Sequence, residues 1–358
     1  MKHSPKLVWF FGIACLLIAV FGHFWTRSST EAENSKAPSE QIIDSQKIKG
    51  VSFVAPPKPF KGDPFQEIID HHINWISVIP YAYTPLGKPL VKYNQTQWQW
   101  WGETRMGAEK TIELAHQNGI KVMLKPQVYI PRGWTGTMDY ISEEEWIQWE
   151  NDYSKYILDM ADLAKVSGVE LFCIGTEFSV SVKKRLNYWL QLIAEIRKIY
   201  PGKICYSANW DHYEETPFWD HLDYIGISAY FPLTDEENPD LEKLKESWNP
   251  WFAEMKEFSN KLKKKILFTE FGYLTIDGAA GKTWELEQKI DQLKMNQTIQ
   301  ATAYEAILSK FWNEEFWAGG FVWKWFPEGE GHEGYPEKDY TPQGKLAAGV
   351  LRNWYQKK

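Results

Sequence analysis

The feature that most constrains the fold is a regular alternation of short apolar segments and amphipathic segments from about residue 48 to the C-terminus. Short runs rich in Val, Ile and aromatic residues are typical of buried strands, and the segments between them carry apolar residues at helical spacing. The sequence predicts eight strands, at residues 50–55, 74–83, 121–129, 169–177, 203–210, 222–231, 265–273 and 319–326. Such alternation implies a parallel sheet with right-handed crossovers, and eight units match a closed (β/α)₈ (TIM) barrel.

The segments between the predicted strands carry helix signals. Ser142 and Glu145 form a Ser-x-x-Glu capping box at the start of one amphipathic segment. Gly119 ends the helix that precedes the third strand. One long helix is predicted over residues 284–312, and a last helix over residues 341–355 closes the chain.

The N-terminal region has a different composition. Residues 1–6 are basic, and residues 7–25 form a nearly unbroken apolar run that is about long enough to span a bilayer. We interpret this run as an uncleaved membrane signal-anchor with its N-terminus inside, given Lys2 and Lys6. A cleaved signal peptide, giving a secreted protein, is the alternative. Residues 26–46 read as a polar linker, so residues 47–358 are expected to form one extracytoplasmic domain.

Composition excludes some classes of function. The net charge is −7 and no long basic run occurs, which argues against nucleic acid as a partner. The three Cys residues do not form a disulfide framework, and Cys173 and Cys205 are expected to be buried free thiols. The His residues are scattered, and "GEGHEG" at 329–334 opens no predicted helix, so we predict neither a metal nor an organic cofactor.

Two predicted strands end in the same tripeptide, Thr-Glu-Phe. Glu177 ends the fourth strand in "LFCIGTEFS", and Glu270 ends the seventh in "KILFTEFGY". The C-terminal strand ends line the active site of a (β/α)₈ barrel, so both carboxyl groups are expected in one mouth. Two carboxyl groups across a cleft are what glycoside hydrolysis needs, one as a protonated acid and the other ionised.

Motifs near these strand ends resemble a known enzyme family. "IGTEF", "DYIGISAYFPL", "TEFGY" and "DYTPQGKLA" are similar to glycoside hydrolase family 113, which is associated with endo-β-1,4-mannanase activity. The resemblance covers about residues 48–355 and implies a retaining mechanism with Glu177 as acid/base and Glu270 as nucleophile. It also implies that the Tyr230 hydroxyl donates to Glu270. Thr176 stands where many members of the wider clan have Asn, so the sugar 2-hydroxyl must be contacted differently.

Polar side chains near other strand ends suit a sugar-binding cleft. Lys125 lies within the third strand, and a Lys is almost never fully buried unless it is paired. We expect it to reach the cleft as a substrate-binding residue, with a structural ion pair as the alternative. Asn209 and Trp210 end the fifth strand, where Asn209 could bind sugar hydroxyls.

The chain contains 20 Trp, more than packing alone requires, and several are candidate sugar platforms. Trp323 and Trp325 are expected to share one face of the eighth strand, and one of them to form an aromatic floor beneath the sugar. Trp134 in "PRGWTG" and Trp101 after the second strand are further candidates. Aromatic rings offer the apolar C–H faces of sugars a matching surface. Core packing is the alternative for each Trp.

The sequence therefore predicts a retaining glycoside hydrolase that acts on β-1,4-linked mannan or manno-oligosaccharides, as a monomer held to the membrane by its N-terminal helix. The same mechanism on another β-glycan, such as a glucan or xylan, is one alternative. A non-catalytic, membrane-tethered carbohydrate-binding barrel is the other. The second glutamate argues against the last alternative, because a binding protein has no need for both.

Overall fold

Eight parallel strands close into a barrel in the computed structural model, which describes residues 46–95, 98–327 and 337–357. The strands are β1 (Ile48–Phe53), β2 (Trp75–Val78), β3 (Tyr81–Tyr83), β4 (Lys121–Leu124), β5 (Gln127–Tyr129), β6 (Leu171–Thr176), β7 (Lys203–Asn209), β8 (Ile225–Ser228), β9 (Ile266–Phe271) and β10 (Trp317–Trp325). Around the ring the order is β1, β2, β4, β6, β7, β8, β9 and β10, which pairs again with β1. The predicted (β/α)₈ barrel is confirmed.

Helices connect the strands. They are α1 (Gln66–Asp70), α2 (Arg105–Gln117), α3 (Glu143–Val166), α4 (Ser179–Lys184), α5 (Leu186–Ile199), α6 (Leu241–Ser247), α7 (Asn249–Leu262), α8 (Thr283–Glu287), α9 (Gln297–Phe311) and α10 (Leu346–Tyr355). The single helix predicted over residues 284–312 is wrong. The segment is divided into α8 and α9 because the Asn296 side chain caps α9, accepting from the N–H groups of Thr298 and Ile299.

The predicted membrane anchor at residues 7–25 lies outside the described residues, as do residues 1–6 and the linker up to residue 45. Among the helices that the structure describes, none is long and apolar enough to cross a bilayer. The compact unit that contains the barrel begins at Gln46. The anchor therefore stays a prediction.

The second and third predicted strands each consist of two pieces. β2 and β4 belong to the barrel, whereas β3 and β5 pair with each other as a separate two-stranded parallel sheet. Pro80 and Pro126 lie between the pieces, and proline has no N–H to donate to a ladder. The Gln127 N–H donates to the Pro80 carbonyl at 2.9 Å, so the wall continues past the barrel rim.

Two layers of apolar side chains surround the sheet. The larger layer joins the outward faces of the strands to the helices. A smaller layer takes one or two residues from each of seven strands and therefore fills the inside of the barrel. Cys173 and Cys205 belong to this inner layer as buried free thiols, as the sequence predicted.

Three strands carry one extra residue near their C-terminal ends, relative to a neighbouring strand. Such β-bulges bend a strand and redirect its side chains, and they are common next to active sites. The extra residues lie between Cys173 and Thr176 in β6, between Phe268 and Glu270 in β9, and between Val322 and Trp325 in β10. The rim of the barrel is therefore irregular on these three strands.

We predict that Ser142→Ala destabilises the protein by about 1 kcal/mol. Ser142 caps α3 by accepting from the Glu145 N–H at 3.2 Å, and Glu145 accepts from the Ser142 N–H in return. Urea unfolding measures the change. Ser247→Ala removes a hydroxyl that donates to the Lys243 carbonyl within α6 and caps no helix start; it is the matched control and should stay within about 0.5 kcal/mol. Equal changes in both variants would contradict the capping role.

Candidate active site

Glu177 directly follows β6, where the chain turns into α4. Its φ of 58° lies in the left-handed region, which costs a non-glycine residue about 1–3 kcal/mol. The Glu177 N–H donates to the Ser207 carbonyl at 2.8 Å, and the Glu177 carbonyl accepts from the Ser179 N–H at 2.9 Å. Strained residues of this kind cluster at functional sites. Backbone strain is therefore present at one of the two glutamates that the sequence pattern singled out.

Glu270 lies at the end of β9, and its side chain is 8% exposed. Oε1 is ion-paired with Nζ of the fully buried Lys125 and accepts a hydrogen bond from Gln127 Nε2 at 2.8 Å. Oε2 accepts a hydrogen bond from the Tyr230 hydroxyl at 2.9 Å. All three neighbours act as donors, which suits a carboxylate because an ionised carboxylate only accepts.

Glu177 has different surroundings. Burial raises the pKa of Glu177 above its ordinary value, and the negative charge of Glu270 raises it further. Hydrogen bonds from Trp134 and Ser228, together with the positive charge of Lys125, act in the opposite direction but do not cancel the rise. Glu177 therefore keeps its proton to a higher pH than an exposed glutamate does.

Trp134 contacts Glu177 directly. The indole Nε1 donates to Glu177 Oε2 at 2.5 Å, and the side chain is 39% exposed. Trp134 lies in the loop between β5 and α3, and the neighbouring Thr135 hydroxyl donates to the Thr176 carbonyl at 3.2 Å. This bond ties the loop to the end of β6. An accessible indole is thus held beside a half-buried carboxyl group.

A layer of buried hydroxyl groups lies beneath the two carboxyl groups. Ser207 Oγ is 2.6 Å from Thr269 Oγ1 and 3.0 Å from Ser228 Oγ. These bonds join β7, β8 and β9. Thr269 and Glu270 are consecutive, yet both make contacts inside the barrel, which the bulge in β9 allows.

Trp323 borders two cavities at the mouth of the barrel. One cavity, of about 290 Å³, lies between Trp323 and the ends of β1 and β3. The other, of about 420 Å³, lies between Trp323 and Tyr340. The Trp323 ring centroid is 5.8 Å from Lys125 Nζ, and the peptide bond from Trp323 to Lys324 is cis. Open space therefore adjoins Trp323 on two sides, next to the lysine that pairs with Glu270.

The arrangement can divide acid and base roles between two carboxyl groups. One has a raised pKa, and the other is surrounded by donors, which is the contrast that acid–base and nucleophilic chemistry requires. Within the described ranges, no group of three or more His, Cys, Asp or Glu side chains is placed to hold a metal ion.

Comparison with protein families agrees with this geometry. The family model described as Glycoside Hydrolase Family 113 matches residues 62–345. The chain belongs to glycoside hydrolase family 113. It is therefore a glycoside hydrolase, as the strand-end motifs predicted, and it resembles the β-mannanases among its structural neighbours.

Solved structures of family 113 share the fold. A GH113 beta-1,4-mannanase complex has a TM-score of 0.74 at 24% identity, covering 87% of this chain and 100% of that chain. The GH113 beta-mannanase AaManA from Alicyclobacillus acidocaldarius, in complex with ManMIm, has a TM-score of 0.74 at 25% identity, covering 87% and 98%. A beta-glucuronidase from Ruminococcus gnavus has a TM-score of 0.59 at 15% identity, covering 87% and 50%. A search of curated proteins found no match.

The family 113 chain brings several predicted site residues together. Lys125 and Tyr230 contact Glu270, and Trp134 contacts Glu177. The hydrogen bond that the resemblance implied between the Tyr230 hydroxyl and Glu270 is present. Lys125 does not reach the cleft surface as expected; it is fully buried, because its charge is paired with Glu270.

The expected position of Trp325 is wrong. Trp325 is 1% exposed, and its ring packs against His71 with the centroids 5.1 Å apart. Simple strand alternation puts Trp323 and Trp325 on one face, but the bulge in β10 lies between Val322 and Trp325 and interrupts it. Trp323 is half-buried and borders both cavities, whereas Trp325 belongs to the outer core.

Other predicted residues have local partners instead. The Asn209 amide donates to Asp211 Oδ1 at 2.7 Å. Trp210 stacks on Trp284, with ring centroids 5.8 Å apart and an interplanar angle of 18°. Neither residue forms a hydrogen bond with Glu177 or Glu270 in the part of the chain that is described.

Sequence reasoning missed Gln127 and did not single out Trp98 and Trp100. Gln127 follows Lys125 by two residues, so strand alternation could have placed both on one face. Trp101 packs edge-on against Phe60 at 5.6 Å, whereas Trp98 and Trp100 line the smaller cavity. These Trp residues lie in a connecting segment without periodicity, which left no signal to distinguish them.

We predict that Trp134→Phe raises the pKa of Glu177. The N–H group of Trp134 stabilises the ionised carboxylate, so its loss favours the protonated form, while Phe keeps an aromatic ring. NMR titration of carboxyl carbons in Glu-labelled protein should show the Glu177 midpoint at higher pH. Trp284→Phe, at an exposed Trp that stacks on Trp210, is the control and should leave the midpoint in place. An unchanged or lower midpoint in Trp134→Phe would refute the donor role.

We predict that Lys125→Met lowers the free energy of unfolding by about 3–5 kcal/mol, because it leaves the Glu270 charge buried without its cation. The double variant Lys125→Met/Glu270→Gln should lose less than the two single variants added together. Denaturant unfolding of all four proteins measures this coupling. Additivity within about 0.5 kcal/mol would show that the pair does not interact.

Proposed function

We propose that this enzyme hydrolyses β-1,4-linked mannan and manno-oligosaccharides by double displacement, with retention of anomeric configuration. Glu177 is the acid/base and Glu270 is the nucleophile. The observation that carries the assignment is the contrast between the two carboxyl groups. The pKa of Glu177 is raised, whereas Glu270 is ion-paired with Lys125 and accepts from Gln127 and Tyr230.

In the first step, Glu177 donates its proton to the glycosidic oxygen as the bond to the leaving sugar breaks. A Glu270 oxygen attacks the anomeric carbon and forms a covalent glycosyl–enzyme ester. The raised pKa of Glu177 supports the acid role, since the group keeps its proton in weakly acidic solution. The donors around Glu270 support the nucleophile role by holding the carboxylate in one orientation.

In the second step, the ionised Glu177 takes a proton from water, and the water oxygen attacks the anomeric carbon. The ester bond to Glu270 breaks, and the sugar leaves with its original configuration. Glu177 is half-buried at the mouth, which is compatible with the entry of water after the leaving group departs.

The choice of mannan rests on the relatives. Chains of family 113 with the same fold are described as beta-1,4-mannanases, and one is 25% identical to this chain. Glucan and xylan differ from mannan in the orientation of one hydroxyl group, and xylan also differs in its ring substituents. Residues in the loops around the cleft must distinguish these groups. These polymers are therefore included in the test.

The experiment is hydrolysis of a panel of soluble β-mannan, β-glucan and β-xylan polymers and oligosaccharides by residues 45–358. We expect short manno-oligosaccharides as products from the unmodified enzyme. Glu270→Ala should reduce turnover by roughly 10⁴- to 10⁶-fold, the order found when a nucleophile is removed. Glu177→Gln should reduce turnover of natural glycosides, because their leaving groups need a proton.

Two further outcomes complete the test. NMR of the newly released sugar should show the β-anomer first, and an α-anomer first would refute the double displacement. Glu113→Ala, at an exposed residue on α2 that is bonded to Lys110 and Gln117, is the control and should keep full activity. Release of gluco- or xylo-oligosaccharides alone would reassign the substrate while leaving the mechanism in place.

A further inference from the structure

The direction in which the Glu177 side chain leaves the rim is set by the two peptide groups on either side of its Cα. With φ at 58°, this residue lies in the left-handed region, which residues with a side chain rarely adopt. Such a conformation persists only where its surroundings hold it. The hydrogen bonds of these two peptide groups therefore decide whether the carboxyl group keeps its place.

The peptide group before the Glu177 Cα is bonded through both its N–H and its carbonyl. The N–H donates to the Ser207 carbonyl at 2.8 Å, so the contact between β6 and β7 extends one residue past the end of β6. The carbonyl, which belongs to Thr176, accepts from the Thr135 hydroxyl at 3.2 Å. This peptide group is thus held by a strand on one side and by the loop after β5 on the other.

The peptide group after the Glu177 Cα is also bonded through both groups. Its carbonyl accepts from the Ser179 N–H at 2.9 Å. Its N–H, which belongs to Phe178, donates to the Tyr206 hydroxyl at 2.7 Å. A phenol oxygen thus accepts the bond that a strand carbonyl accepts one residue earlier. Of the partners of the two peptide groups, the hydroxyls of Tyr206 and Thr135 belong to side chains and can be removed by substitution.

Tyr206 is a rigid acceptor. Its side chain is 1% exposed and lies in the outer apolar layer, edge-on to the rings of Trp189 and Phe218 at centroid distances of 5.7 and 5.4 Å. Burial raises the pKa of the Tyr206 hydroxyl well above its ordinary value, so the group stays neutral in weakly acidic and neutral solution. Close packing therefore fixes the oxygen that the Phe178 N–H meets.

We propose that Tyr206 is a positioning residue for the acid/base: its hydroxyl holds the peptide group after Glu177 and thereby aims the Glu177 carboxyl group at the glycosidic oxygen. This inference rests on the proposed function, in which Glu177 protonates the leaving group. Tyr206 is buried in the outer layer and acts through the backbone of Glu177. A displacement of about 1 Å at a reacting group can cost about 100-fold in rate, so a small rotation of this peptide group is sufficient.

The test compares two aryl glycosides of the sugar that the polymer panel identifies. Phenol is a poor leaving group that needs a proton from Glu177, whereas dinitrophenol leaves without one. The measured quantity is kcat/KM for each substrate, with the full chain. We expect Tyr206→Phe, which keeps the ring and removes the hydroxyl, to lower kcat/KM for the phenyl glycoside by about 10- to 100-fold. The value for the dinitrophenyl glycoside should change by less than about 3-fold.

Tyr200→Phe is the matched control. Tyr200 is 2% exposed, and its hydroxyl donates to the Val169 carbonyl at 2.8 Å, before the start of β6 and therefore at the opposite end of that strand from Glu177. Both variants lose one buried tyrosine hydroxyl that is bonded to the backbone. We expect Tyr200→Phe to leave kcat/KM for both substrates at the level of the unmodified enzyme, with a fall in Tm similar to that of Tyr206→Phe.

Two results would overturn the positioning role of Tyr206. One is an unchanged kcat/KM for the phenyl glycoside in Tyr206→Phe. The other is an equal loss on both substrates, because a merely structural role affects both alike. Glu177→Gln separates this proposal from the proposed function, since it should show the same selective loss at larger size. If Glu177→Gln loses both substrates equally, the acid role itself fails; if only Tyr206→Phe lacks the selective loss, the acid role stands and the positioning role fails.

Discussion

The buried ion pair between Lys125 and Glu270 is the contact on which the rest of the active site depends. The two residues come from the ends of β4 and β9, which are opposite each other in the ring, so the pair spans the inside of the barrel. Each charge is tolerable at this depth only because the other is present. The same cation lies 5.8 Å from the Trp323 ring centroid, and it opposes the rise in the pKa of Glu177 that burial and the Glu270 charge cause. One lysine therefore acts on both carboxyl groups and on an aromatic wall of the cleft.

Irregular backbone at the C-terminal rim of the barrel determines where the side chains of the active site point. The inner apolar layer and the hydroxyl layer above it follow simple alternation, which stabilises the body of the barrel. At the C-terminal ends, bulges in β6, β9 and β10 redirect the side chains that follow them. Glu177 adds a left-handed backbone conformation just after the first bulge. These bulges and the Glu177 conformation thus lie at the end that carries the chemistry.

The barrel and its two glutamates could be predicted from the sequence because both follow from local periodicity and from the rule that active sites lie at strand ends. The predictions that were wrong, for Lys125, Trp325 and the helix over residues 284–312, failed for different physical reasons. The role of Lys125 depends on a partner 145 residues away, which no local pattern reports. A single extra residue in β10 reverses the expected face of Trp325. A helix cap interrupts an apolar pattern that looks continuous, as Asn296 does at the start of α9.

The two-stranded sheet formed by β3 and β5 makes the mouth of the barrel asymmetric. It raises the wall on one side, since β3 and β5 pair with each other beyond the barrel rim and not with the barrel strands. The connection after β3 carries Trp98 and Trp100, and the loop after β5 carries Trp134. Buried Trp residues such as Trp149 and Trp189 pack the outer core, so Trp content alone could not locate the cleft. The exposed residues Trp98, Trp100 and Trp134 instead lie on the connections that leave this extension, and Trp134 reaches Glu177 from there.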